Sequence, residues 1–246
     1  KYLRRCLDSL LNQGMEAGEY EILCINDGST DGSLGILKEY GSRYTQIVRV
    51  ITQDNKGVVH ARNHGLDVAK GDVVTCCDSD DYLIPNSYRY LLDHFWEDNI
   101  DVLRFLSVTL DRYVLKDWKE TNDTSGVLLY EGVGRDVFQH PFFASLCTHL
   151  YRKSFLDEYH LRLPDMIMDE DRVFNLQLYL SNPRVRACTS CVYRYTVEGS
   201  QTTAIRDVNK VRRMLPDFLY EFSLCNQYMD RCGEDESALR EYLGQR

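Results

Sequence analysis

No run of apolar residues in this 246-residue chain approaches the roughly 18 needed to span a bilayer, and no charged-apolar-small leader opens it. The chain therefore reads as soluble, and 43% hydrophobic with 27% charged residues excludes a fibrous or disordered class. Positive charge is also short: Lys and Arg total 29 against 38 Asp and Glu, for a net charge of -9. The basic footprint of a nucleic-acid binder is missing, so nucleic acid is not an expected partner, and any bound phosphate must be held locally by a metal or a few placed cations. Neither G-x-x-x-x-G-K-[ST] nor G-x-G-x-x-G occurs, which excludes the two common glycine-rich phosphate loops. Internal repeats and low-complexity linkers are absent as well. Cysteine is plentiful, with nine residues, an odd count scattered partly through apolar runs. That usage implies reduced thiols and a cytoplasmic location. Cys188 and Cys191 form a lone C-x-x-C with no second pair or nearby histidine, and strand packing accounts for them better than metal or redox work.

What is present alternates. Leu3, Cys6, Leu7, Leu10 and Leu11 fall at helical spacing, so the chain opens inside an amphipathic helix. Residues 20–25 read as a buried strand, 26–33 as a capping turn, and a helix follows to about residue 44. A second strand at 47–51, a helix at 58–69 opened by Gly57, and a third strand at 72–77 continue the pattern. Further helices are expected at 86–97, 155–159 and 172–180, strands at 101–108 and 184–197, and terminal helices over 208–245, while 111–134 is a variable excursion. Alternation with short connections predicts an α/β fold with a mostly parallel, Rossmann-like sheet flanked by helices, whose ligands bind beyond the carboxyl ends of the strands.

Four clusters could carry chemistry. Asp78-Ser79-Asp80-Asp81 follows directly on the strand ending Cys76-Cys77, and residues two apart in extended chain face the same way. Asp78 and Asp80 can thus converge on a hard cation, Mg²⁺ or Mn²⁺, whose shell substrate phosphates commonly complete; an acidic cap on the next helix is the plainer account. Asn26-Asp27-Gly28-Ser29-Thr30-Asp31 offers a strand-end carboxylate to a base or ribose, or is simply an N-cap. In Asn55-Lys56-Gly57 through Gly65, Arg62 could bond a nucleotide or order the acidic loops, or form a structural ion pair. His60 and His64 have metal-ligand spacing but no glutamate between them of the kind a zinc protease requires. Asp169-Glu170-Asp171 opens a helix, where the macrodipole favours acids, and could equally place one carboxylate as a general base.

Taken together and in order, these blocks resemble glycosyltransferase family 2, the inverting enzymes of the GT-A fold. The resemblance is carried by Tyr2-Leu3 through Gln13, Glu21-Ile22 through Asp31, Gln53-Asp54-Asn55-Lys56-Gly57 through Leu66, and Gly71-Asp72 through Asp81, and it recurs at 150–156 and in Glu170-Asp171. It implies a GT-A domain over 1–205, with a nucleotide- and metal-binding half at 1–97, an acceptor half at 98–205, and a helical extension at 206–246. It implies that Asp27 contacts the nucleotide base, that Arg62 borders the nucleotide pocket, and that Asp80 binds Mn²⁺ or Mg²⁺ with Asp78 beside it or nearer the ribose. Asp171 then corresponds to the catalytic base, with Glu170 as the near alternative. The donor implied is a nucleotide diphosphate sugar, usually UDP-linked, and the acceptor a saccharide or lipid-linked hydroxyl. A binding module without turnover and a nucleotidyltransferase are the rival readings. Family members begin with a strand ending in Tyr-Asn or a similar pair, which this sequence does not contain, so an upstream strand is expected in the natural protein. The segment 198–203 resembles a family loop that closes over donor, with an ordinary turn as the alternative. Arg206, Lys210, Arg212 and Arg213 form a basic cluster that is either a solvated face or a weak peripheral contact with the inner membrane face, at about 1 kcal/mol per placed cation.

Overall fold

The computed structural model describes residues 2–97, 99–107, 128–134, 145–166, 169–196, 216–217, 219–224 and 226. The first half follows the expected alternation closely. Helix α1 (Leu3–Leu11) leads to strand β1 (Ile22–Asp27), helix α2 (Ser33–Arg43), strand β2 (Val48–Gln53) and helix α3 (Val58–Val68). β1 and β2 run parallel from Ile22 opposite Val48 to Asp27 opposite Gln53. Leu7, Ile22, Leu37, Tyr40 and Val48 fill the space between these elements, the apolar faces that the sequence periodicities place inward.

The second half contains β3 (Val73–Val74), β4 (Tyr82–Leu83), α4 (Ser87–Glu97), β5 (Val102–Ser107), β6 (Leu128–Val133), β7 (His149–Arg152), α5 (Lys153–Glu158), α6 (Glu170–Leu180) and β8 (Arg184–Arg194). Its strands lie in the order β3-β7-β5-β8-β4, with β6 also paired to β8. The α/β class stands, but the expectation of a mostly parallel sheet is corrected. Among the described residues only β5 and β8 run parallel here, while β3–β7, β4–β8, β5–β7 and β6–β8 are antiparallel. Antiparallel neighbours, unlike parallel ones, need no helical crossover between them. Two local expectations also shift. The third strand pairs only at Val73 and Val74, and Cys76 and Cys77 are held by packing against the core instead of by a ladder. Within the variable excursion, Leu128–Val133 is a strand, ordered by its pairing with β8.

Gln13 joins the halves. Fully buried at the end of α1, it donates to the carbonyls of Ser9 and Ile84 and accepts from the Ser87 hydroxyl and the Tyr88 amide, so its side chain caps α4. Helical backbone at 216–217, 219–224 and 226 accords with part of the expected terminal helices, and buried Glu221 lies 3.7 Å from Arg172 of α6. The loop at 198–203 and the basic cluster at 206–213 fall outside the described residues.

Candidate active site

β1 delivers Asp27 to the rim of the parallel pair, and the chain then turns through Gly28 at φ +68°. A side chain at Gly28 would bring its Cβ within 2.9 Å of the Asn55 amide, so glycine is what lets the 53–57 loop close against β1. That loop surrounds Asp27. Its Oδ1 accepts from Gln53 Nε2 at 2.8 Å and the Lys56 amide at 2.9 Å, and its Oδ2 from the Gly57 amide at 2.8 Å. Partial burial raises the carboxyl pKa, but the Lys56, Gln53 and Gly57 donors outweigh it and hold Asp27 below the ordinary range. Because a carboxylate only accepts, Gln53 must present its amino group to Asp27 and its carbonyl to His64 Nδ1, 2.6 Å away. The proton of His64 is therefore on Nδ1, which makes His64 a brace behind Gln53 and Asp27. His60 is exposed, 4.0 Å from Asp165.

The chain beyond β3 reaches Asp78, where the acidic run begins. Its three carboxylates have three different fates. Asp78 Oδ1 accepts from Arg62 at 2.8 Å. Asp80 is exposed, its backbone carbonyl accepts from Arg5, and among the described residues its carboxylate has no hydrogen-bond donor. Asp81 is 1% exposed, with Oδ2 accepting from the Tyr193 hydroxyl at 2.5 Å and Oδ1 from the Thr196 amide at 2.7 Å. Burial pushes Asp81 up to about 6 against those two donors. The same Tyr193 oxygen accepts from the Asp78 amide at 3.2 Å, so one hydroxyl on β8 fixes both ends of the acidic turn. The carboxylates of Asp78 and Asp80 are not consumed as caps for α4, whose amide at Tyr88 is served by Gln13.

Helix α6 brings in the remaining acids. Asp169 precedes it in left-handed conformation at φ +61°. Glu170 Oε1 accepts from Arg62 at 2.9 Å, so a single guanidinium on α3 grips both Asp78 and Glu170. Burial opposes charge on Arg62, yet the neighbouring Asp78 carboxylate prevails and holds its pKa above the ordinary value. Asp171 Oδ1 accepts from the Arg172 amide at 2.8 Å. Burial first, then the Glu170 charge, pushes Asp171 up to about 7, while Arg62 and the Arg172 amide pull the other way. A carboxyl that titrates near neutrality and sits beside an ion-paired neighbour is suited to accepting a proton.

Thus Arg62 brings Asp78, Glu170 and, next to it, Asp171 into one neighbourhood, with Asp80 on the same acidic turn. Asp27 stands at the end of β1, tied to the loop that opens α3. Sequence reasoning missed Gln53, Asp81 and Tyr193. Asp81 and Gln53 lie inside noted blocks but carry no local sign of their role, and Tyr193 lies 112 residues from the carboxylate it bonds. Among the described residues no group of three or more His, Cys, Asp or Glu could enclose a metal. Asp78, with one oxygen open, and the exposed Asp80 instead fit a partly hydrated Mg²⁺ or Mn²⁺, which binds through one or two carboxylates and fills its shell from substrate phosphates.

Helices on a mixed sheet, with acids at the strand ends, define an α/β domain of the GT-A class, and solved structures share this fold. S. aureus TarS 1–349 in complex with UDP-GlcNAc superposes with a TM-score of 0.75 at 22% identity, covering 98% of this chain and 68% of that one. The mannosyltransferase PcManGT from Pyrobaculum calidifontis, in complex with GDP-Man and Mn²⁺, gives 0.65 at 14% identity over 90% of this chain and 60% of that one. The chain belongs to glycosyl transferase family 2, whose profile matches residues 1–160. Among curated relatives, the poly(ribitol-phosphate) beta-glucosyltransferase of Bacillus spizizenii is 32% identical over 80% of this chain and 30% of its own length. The uncharacterized glycosyltransferase YibD of Escherichia coli is 29% identical over 84% of this chain and 61% of its own. The chain thus spans less than two thirds of the length of these relatives.

Proposed function

We propose that the chain is the donor-binding and catalytic domain of a metal-dependent inverting glycosyltransferase, which moves a sugar from a UDP-linked donor to a hydroxyl of a glycan or lipid-linked saccharide. The observation that carries this reading is the Arg62 bridge between Asp78 and Glu170, because it puts the donor-side carboxylates and a base of raised pKa in one site. Family membership and the UDP-GlcNAc complex of TarS support a UDP-linked donor.

Each residue has a task that its surroundings allow. Asp27 already accepts from three donors, which leaves about one of a carboxylate's roughly four acceptor positions for a uracil N–H. Asp78 and Asp80 would hold Mn²⁺ or Mg²⁺, which supplies charge neutralisation to the departing diphosphate. Asp171 takes the proton of the acceptor hydroxyl as that oxygen attacks the anomeric carbon from the face opposite the diphosphate. Displacement in one step inverts that carbon and needs no protein nucleophile. Glu170 is engaged with Arg62 and is the weaker choice as base. Six free thiols among the described cysteines support a reducing, cytoplasmic setting.

A panel of nucleotide sugars with Mn²⁺, read by release of UDP or GDP, tests the assignment. The expected result is UDP release from a UDP-sugar, abolished by excess chelator and restored by Mn²⁺. Turnover that persists unchanged in chelator contradicts the metal role, and release of pyrophosphate instead of nucleoside diphosphate contradicts the reaction class.

A further inference from the structure

We propose that Arg62 is a positioning residue that bolts the Asp78 turn to helix α6, donating one amino group to Asp78 and the other to Glu170, so that Glu170 is its anchor and Asp171 is left to accept the proton. The inference rests on the function proposed above and deepens it. The two acceptors come from opposite ends of the domain's second half, 16 and 108 residues from Arg62 in sequence. No backbone hydrogen bond joins the Asp78 turn to the start of α6 among the described residues. The guanidinium is what spans them.

The chemistry explains why arginine stands there. A guanidinium is planar, and its donors diverge in a fixed fork, so two carboxylates bound to its two amino groups are held at a set separation. Lysine presents a point charge on a flexible stem and imposes no such separation. The Arg62 and Glu170 side chains are only 18% and 14% exposed, so removing either partner strands a poorly solvated charge. α3 itself is anchored behind the site: Asn63 donates to the Leu163 carbonyl and accepts from the Leu163 amide. The bolt therefore has a firm base, and its reach fixes where α6 begins relative to the donor-side acids.

Asp171 reports on the arrangement. The charged and titratable groups acting on it are Glu170 and Asp169 from the start of its own helix, Arg62 from α3 and Tyr151 from β7, with the Arg172 amide as a neutral donor. Replacing the negative charge of Glu170 by an amide should ease deprotonation of Asp171, and replacing the positive charge of Arg62 should hinder it. A residue with a purely structural role would not move the two titrations in opposite directions.

The experiment uses the full-length enzyme with the nucleotide sugar that the wild type turns over, and reads kcat, KM and the acid limb of the pH–rate profile. Glu170→Gln, whose carbonyl can still accept from Arg62, should retain at least about a tenth of kcat and shift the acid limb downward by roughly half a pH unit or more. Arg62→Lys should keep the acid limb in place while kcat falls at least about tenfold with a smaller change in KM, the mark of lost geometry at retained charge. Arg62→Met should lose at least as much kcat and move the limb upward. Wild-type kcat in Arg62→Lys overturns the proposal, as does abolished transfer in Glu170→Gln, which would make Glu170 the base. If the wild type releases no nucleoside diphosphate from any donor, the functional reading fails by itself. The bolt is then judged by carbon-13 NMR titration of the Asp171 carboxyl in Glu170→Gln and Arg62→Met, where an unmoved midpoint in either variant overturns it.

Discussion

Asp171 serves two demands that conflict. As a base it must be ionised at working pH, yet burial and Glu170 disfavour that charge and raise its pKa from 3.8 to about 7. The folded state therefore holds this proton longer than the unfolded chain does, and between pH about 4 and about 7 the contribution of Asp171 to stability declines as pH rises. Asp171→Asn removes that penalty together with the base. Transfer should fall by about 100-fold or more while UDP affinity stays within about threefold, and the melting temperature at pH about 8 should rise by about 2 °C or more, with a smaller gain at pH about 5. Rate assays, calorimetry with UDP and melts at the two pH values check this. An unchanged transfer rate would remove Asp171 from the mechanism. In the wild type, the rate should fall as pH drops through about 7, where Asp171 becomes protonated.

At the scale of elements, the site depends on a turn that only glycine makes comfortably. β1 ends at Asp27, and Gly28, at φ +68°, brings Asn55 close enough for the following loop to donate twice from its backbone to Asp27. Gly28→Ala places a methyl group against the Asn55 amide and strains the left-handed backbone, a cost of about 1–3 kcal/mol. The relief is for the 53–57 loop to retreat, which pulls donors away from Asp27 and loosens the N-terminus of α3. UDP binding should weaken at least about tenfold by titration calorimetry even where the protein remains folded. Unimpaired UDP affinity in a destabilised variant would show that the turn matters to the fold alone.

The whole molecule answers to pH through a buried residue that has no part in the proposed chemistry. His149 is fully buried between the Ser145 carbonyl and the Tyr179 hydroxyl of α6, where its Nδ1–H donates to the former and its Nε2 accepts from the latter. Burial, then the charge of Arg104, lowers its pKa from 6.5 to about 3. The neutral imidazole therefore supports the fold fully above pH 6.5, and that support is lost as pH falls towards about 3, because the unfolded chain takes up the proton first. The opposing contribution of Asp171 is present in both wild type and a His149→Gln variant, so it cancels between them to the extent that the two sites add. The variant should be less stable at pH about 7 but should lose fewer degrees of melting temperature on acidification to pH about 4. Equal losses in thermal melts would assign the acid sensitivity elsewhere.

The amino-acid sequence by itself determined the alternation of the first half, the glycine turn after Asp27, the acidic run after the third strand and the acids that open α6. Each is a local pattern, in which neighbours in the chain are neighbours in space. Tertiary structure alone decided what those residues do for one another. It sorted Asp78, Asp80 and Asp81 into an ion-paired, an exposed and a buried carboxylate by bringing up Arg62 and Tyr193. It separated Glu170 from Asp171 by spending one on an arginine 108 residues away. It also reversed most strand pairings of the larger sheet, since hydrophobic periodicity marks which face of a strand is buried but carries no information on the direction of its neighbour.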